Sequence, residues 1–328
     1  MSYVLWSLLT GWLAPLPSQA ETPAGPSPHP RAMWVWDGAL IVGEPDEERR
    51  LFGLCEAVGV RELFLDATTQ LRDSTGSDAL RAFLHLAHSR GMRVHGLFGD
   101  AGWAMPENHH EALAWLDRVG DFHHNSEGAL ERFDGVQWDV EPYVLKEWKT
   151  DPKALGRGYL GLIQKLLERH EKIAGGTPFE FGLAIPFWWD RDGPDSVFVS
   201  AGGTESPLLG CLLQEFAERP GVAVHLAAMA YRTHALGPNS STAISQREID
   251  TAERCRGNVR VWVGLESTKT EPASITFYGG TWAALANAAA QVDRFFAGRK
   301  SYAGVALHHY RSLVRLQGAP VERTEGGI

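Results

Sequence analysis

Residues 32–40 read AMWVWDGAL. A five-residue apolar and aromatic run, Ala32–Trp36, breaks at Asp37-Gly38 and leads into a helical pattern over Pro45–Val58. What is missing after this first strand decides the fold. An open, doubly wound sheet normally carries a glycine-rich phosphate turn at that point. Neither Gly-x-Gly-x-x-Gly nor Gly-x-x-x-x-Gly-Lys-Ser/Thr occurs here or elsewhere in the chain.

Seven more strand-like runs follow: Glu62–Leu65, Arg93–Phe98, Gly135–Val140, Glu180–Pro186, Val224–Ala230, Arg260–Leu265 and Gly304–His308. Between them the apolar period changes from near 2 to near 3.6. The helical patterns are Asp78–Ser89, His110–Arg118 with a continuation towards Arg132, Leu155–Ile173, Pro207–Glu218, Ile244–Arg256 and Trp282–Ala297. Gly59, Gly91, Gly221 and Gly257 stand where helices stop. Eight βα units over residues 31–315 predict one α/β domain, a closed (β/α)8 TIM barrel.

The ends read differently. The apolar run Tyr3–Leu13 is too short for a bilayer span of roughly 20 residues. It is followed by Pro15, Pro17 and a small-residue site at Ser18-Gln19-Ala20, although no Lys or Arg precedes it. Residues 1–20 are expected to be a signal peptide, 21–30 a Pro-rich linker and 316–328 a polar tail. The expected location is secreted or periplasmic, with no stable membrane anchor after processing.

Composition excludes several classes. With 44% hydrophobic residues and 12 tryptophans, where roughly four would be usual, the chain is not disordered. Its formal charge of −9 argues against nucleic acid or an anionic membrane surface. Cys55, Cys211 and Cys255 are far apart and suit free, buried thiols. No Cys/His spacing marks a zinc site, and the pairs His109-His110 and His123-His124 fall in helix or loop patterns. Neither a metal nor another cofactor is expected, and the chain is expected to act as a monomer.

In a barrel the chemistry sits at the C-terminal ends of the strands. Those ends read Trp36-Asp37, Asp66, Asp100 with Trp103, Asp139 with Glu141, Trp188-Trp189-Asp190, Tyr231-Arg232, Glu266 and His308-His309-Tyr310. Carboxylates among aromatic side chains point to sugar. Asp66 and Asp100 fit equally well as helix caps just after a strand. Arg232 is either a substrate contact or one half of an ion pair.

The sharpest segment is FDGVQWDVEPY, residues 133–143. On a strand, Gln137, Asp139 and Glu141 share one face, here the barrel interior. Two ionised carboxyls side by side repel, so one holds its proton towards neutrality. The expectation is a protonated Glu141 above an ionised Asp139, which is what general acid catalysis needs.

DGVQWDVE resembles the D-G-x-D-x-D-x-E signature of family 18 glycoside hydrolases, the chitinase-like barrels. Asp134, Gly135, Asp139 and Glu141 match, while Gln137 replaces the middle Asp. Met229-Ala230-Tyr231-Arg232 is similar to the family's Met-x-Tyr-Asp with the last acid replaced. The resemblance implies that Glu141 is the acid, that Asp139 orients a substrate N-acetyl group, and that Tyr231 helps to hold it. Glu141-Pro142 also resembles the Asn-Glu-Pro of retaining glycosidases, with Val140 in place of the Asn. That resemblance implies Glu141 as acid/base and Glu266 as nucleophile.

The expected function is cleavage of a polysaccharide or glycan. Trp36, Asp37, Asp66, Asp100, Trp103, Gln137, Trp188, Arg232 and His308 are the candidate cleft residues. A carbohydrate-binding barrel without catalysis and a metal-dependent hydrolase or lyase are the competing classes.

Overall fold

The computed structural model describes residues 29–190, 197–201 and 204–320. The expected signal segment, nearly all of the linker and the last eight residues lie outside the described residues. Eight parallel strands close into a barrel. They are β1 (Arg31–Val35), β2 (Val60–Asp66), β3 (Arg93–Phe98), β4 (Gly135–Trp138), β5 (Glu180–Ile185), β8 (Ala223–Ala228), β9 (Asn258–Glu266) and β10 (Tyr302–His308). β1 pairs with both β2 and β10, so no edge is left open. An antiparallel hairpin, β6 (Phe198–Ala201) with β7 (Thr204–Pro207), interrupts the alternation. The sequence pattern had not marked it.

Seven helices follow the expected order: α1 (Pro45–Val58), α2 (Ser74–Ser89), α3 (His109–His124), α4 (Pro152–Ala174), α5 (Leu208–Ala217), α6 (Ser241–Arg254) and α7 (Trp282–Phe296). A short α8 (Tyr310–Leu313) follows β10. Helix starts carry the chemistry that donors without intrahelical partners require. Asp73, Asp151, Ser240 and Thr281 each accept a backbone N–H of the first turn. Asp151 and Glu44 also stand before a proline in the first turn, whose missing N–H costs nothing there.

The strands sort their side chains by parity. Val136, Trp138 and Val140 join the apolar layer between barrel and helices, as do Phe181, Leu183 and Ile185. Inside the barrel, Trp34, Phe64, Leu97 and Trp262 fill the middle. Ala32, Ala227, Ala303 and Ala306 leave them room. This alternation of large and small side chains makes a packed interior rather than a pore. Above it stands a ring of carboxylates and aromatics; below it lie Glu62, His95, Glu180 and His225.

Candidate active site

The upper ring is centred on the end of β4. The backbone N–H of Asp139 donates to Phe98 O at 2.8 Å, which carries the ladder one residue past the strand. Pro142 then starts a short turn, Pro142–Val144, and Tyr143 within it donates its hydroxyl to Glu141 Oε2. Asp139 Oδ1 has no hydrogen-bond partner among the described residues. Burial raises the Asp139 carboxyl to about 7, and the adjacent Glu141 charge adds to the rise. Burial thus favours a proton on Asp139, where the sequence had pointed to Glu141. The reason is local. Asp139 lies deeper, while Glu141 has a phenol donating to it.

Across the mouth, β9 ends in Glu266. Its Oε1 accepts the backbone N–H of Ser267 and of Thr268, each at 2.6 Å. His308, at the end of β10, reaches Glu266 Oε1 and Oε2 from Nδ1 at 3.1 and 3.0 Å. The other nitrogen of that ring, Nε2, accepts from Trp36 Nε1 at 3.1 Å. An indole N–H can only donate, so the His308 proton belongs on Nδ1, facing the carboxylate. Burial alone would raise Glu266. The hydrogen bonds from His308 and the Thr268 backbone outweigh it and hold this carboxyl below the usual range.

Tyr231 lies between the two carboxylate centres. Its ring sits 6.0 Å from that of His308. Burial, then the charges of Glu266, Asp139 and Glu141, keep its hydroxyl protonated. The mouth thus offers a carboxyl pair sharing a proton near neutrality, a third carboxylate held ionised, and a phenol donor between them.

No family model matches the sequence, and no curated protein matches it. Solved structures do match. A GH18 chitinase from Pseudoalteromonas aurantia superposes with a TM-score of 0.51 at 11% identity, over 87% of this chain and 95% of that one. In fold, the chain resembles the family 18 chitinases. A chitinase from Chromobacterium violaceum ATCC 12472 matches at TM-score 0.40 and 15% identity, over 72% of this chain and 68% of that one. A D-psicose 3-epimerase from Clostridium cellulolyticum H10 matches at 0.43 and 12%, over 82% and 98%. At these identities the likeness is one of fold.

The remaining sequence candidates divide. Trp36, Trp188 and His308 stand partly exposed at the strand ends. Trp188 packs edge-on against Tyr143 at 5.4 Å. Asp37 pairs with Arg311 at 3.4 Å. Arg232 binds Asn239 and its neighbouring carbonyl, Tyr231 O, and lies over the Phe187 ring. Asp66 accepts from the backbone and hydroxyl of Thr68, and Asp100 from Gly102, so both serve local turns.

Two candidates are not brought to the mouth. Trp103 is 5% exposed, donates to Glu111 and packs on Trp138 in the outer layer. Gln137 is fully buried beneath the mouth and meets His225 at 2.7 Å. Asp134, the first acid of the motif, ties His88 and the Val94 N–H together at the base of the barrel. Tyr143 was missed from sequence. Its only signal was a phenol two residues beyond Glu141, with the chain turned back by Pro142.

Proposed function

We propose that this protein is an exported glycoside hydrolase acting on a polysaccharide or glycan, with Glu141 as the general acid. The observation that carries the reading is the Asp139–Glu141 pair at the end of β4, where burial and the neighbouring Glu141 charge raise the Asp139 carboxyl to about 7. In the free protein Asp139 keeps its proton. When substrate fills the mouth, the proton passes to Glu141, which delivers it to the leaving glycosidic oxygen as that C–O bond breaks; water then adds to the anomeric carbon and its proton returns to the carboxyl pair. Tyr143 steadies the Glu141 carboxylate that results. Glu266, ionised by its three N–H donors, supplies negative charge to the oxocarbenium-like transition state. Trp36 and Trp188 offer aromatic faces to a sugar ring. Where the sugar is N-acetylated, Asp139 and Tyr231 are placed in chain order to orient that group, as the family 18 resemblance implies. Export rests on the apolar run Tyr3–Leu13 and the small-residue site after it.

One observation favours a second reading. Glu266 Oε1 takes three N–H donors, while Oε2 takes one, from His308. Oε2 is the oxygen suited to attack an anomeric carbon, which makes Glu266 the nucleophile of a double displacement with Glu141 as acid/base. Digestion of a glycan panel with mass analysis of the products tests both readings. Cleavage of at least one glycan is expected, and a protein that binds glycans yet cleaves none is a carbohydrate-binding barrel instead. A glycosyl adduct trapped on Glu266 by a slow substrate selects the second reading.

A further inference from the structure

The lower barrel interior holds a polar cluster that the reaction at the mouth does not use. His95 on β3, Glu180 at the start of β5 and His225 on β8 contribute one ligand-type atom each, all within 4.8 Å of one another. Both imidazoles are completely buried. Glycines make their room. A Cβ on Gly135 would lie 2.6 Å from His95 Nδ1, and one on Gly182 would lie 2.1 Å from His225 Nε2.

The outer nitrogens fix the protons. His95 Nε2 lies 3.1 Å from Glu62 Oε2, and a carboxylate only accepts, so Nε2 carries the hydrogen. His95 Nδ1 is left with a lone pair and no partner among the described residues. His225 Nε2 lies 2.7 Å from Gln137 Oε1, again an acceptor. His225 Nδ1 faces Glu180 Oε2 at 3.3 Å, an acceptor as well, and a neutral imidazole has one hydrogen for these two acceptors. A cation among the three residues would make up that shortfall, and one ligand-type atom from each lies within 4.8 Å of the others. The other Glu180 oxygen, Oε1, is already held by Arg93 and Arg260, each at 3.0 Å. Histidines that bind metals are oriented in this way: the outer N–H donates to a carboxylate or carbonyl, and the inner nitrogen ligates.

We infer that His95, His225 and Glu180 form a binding site for a zinc-class divalent cation, with Glu62 and Gln137 as the acceptors that orient the imidazoles. Two imidazole nitrogens and one carboxylate oxygen suit zinc or a neighbouring transition ion, whereas calcium and magnesium favour all-oxygen sites. His95 pairs in register with Gly135, four residues before Asp139. At about 3.3 Å per residue the site lies about 13 Å below the carboxyl pair, so its role is structural. A groove of about 680 Å³, lined in part by Arg93, Asp134 and Glu180, opens towards it from the N-terminal end of the barrel.

The test uses the full, tag-free chain stripped with a chelator and titrated with Co2+. One equivalent is expected to bind and give visible ligand-field absorption without sulfur charge-transfer bands, and Zn2+ is expected to displace it. At a hundredfold excess over its Kd, Zn2+ is expected to raise the Tm by about 4 °C. His95→Gln is expected to lose both responses while keeping its far-ultraviolet circular dichroism. If that variant does not fold, X-ray absorption of the zinc-loaded wild type is expected to show two imidazoles and oxygen. The inference is overturned if the wild type takes up no stoichiometric Co2+ and gains no Tm from Zn2+. It is equally overturned if His95→Gln binds as the wild type does, or if absorption shows sulfur ligands. Those outcomes describe a metal-free network in which the Gln137 amide is reversed and His225 donates from Nδ1 to Glu180.

Discussion

Asp139 and Tyr143 act on Glu141 in opposite senses: one competes for its proton, the other steadies its anion. Each has a measurable consequence. An Asp139 carboxyl raised to about 7 is costly to ionise in the folded state, so the penalty is absent below about pH 4 and complete above pH 7. Asp139→Asn removes the ionisable group. The variant is expected to be more stable than the wild type at pH 8, by up to about 4 kcal/mol, and not more stable at pH 4. Denaturant melts at the two pH values check this; an equal effect at both would show that Asp139 does not hold the proton. For hydrolysis the same proton is needed on the pair, so the rate is expected to fall about tenfold per pH unit above 7. Tyr143→Phe removes the donor that stabilises the Glu141 anion. The alkaline limb of the pH–rate profile should then move up by about one unit.

At the scale of elements, the strand ends bring the site together and the strand interiors hold it in place. The helical and strand periods were legible because each element buries one face, and α1 and β3 run where the apolar pattern places them. The β6–β7 hairpin was not legible, since Phe198–Ala201 and Thr204–Pro207 carry no alternation long enough to stand out. The carboxylates of the mouth were visible through strand parity alone. Their proton was not, because it depends on depth and on Tyr143, which a strand pattern does not report. Gln137 has interior parity, as expected, but parity does not distinguish the mouth from the layer beneath it. Trp103 was misplaced for a related reason: a tryptophan after a strand end can turn outward as readily as inward. In the middle layer, Trp34 and Trp262 fill the barrel between alanines. Trp262→Ala is expected to cost about 3–5 kcal/mol, read from chemical denaturation. A cost under 1 kcal/mol would mean that this layer is loosely packed.

For the molecule as a whole, two groups stand out among the described tryptophans. Trp34, Trp138, Trp189 and Trp262 are core. Trp36 and Trp188 remain at the mouth beside the acids. No helix among the described residues is long and apolar enough to cross a membrane. Cys55, Cys211 and Cys255 are free thiols, so reductant is expected to leave the Tm unchanged. The most direct measurement is the single-turnover rate of Glu141→Gln beside its affinity, on the best glycan from the panel. The expected result is a rate loss of about 10²–10⁴-fold with unchanged sugar affinity and an unchanged melting curve. A variant that keeps more than about a tenth of the wild-type rate would contradict the assignment of Glu141 as the acid.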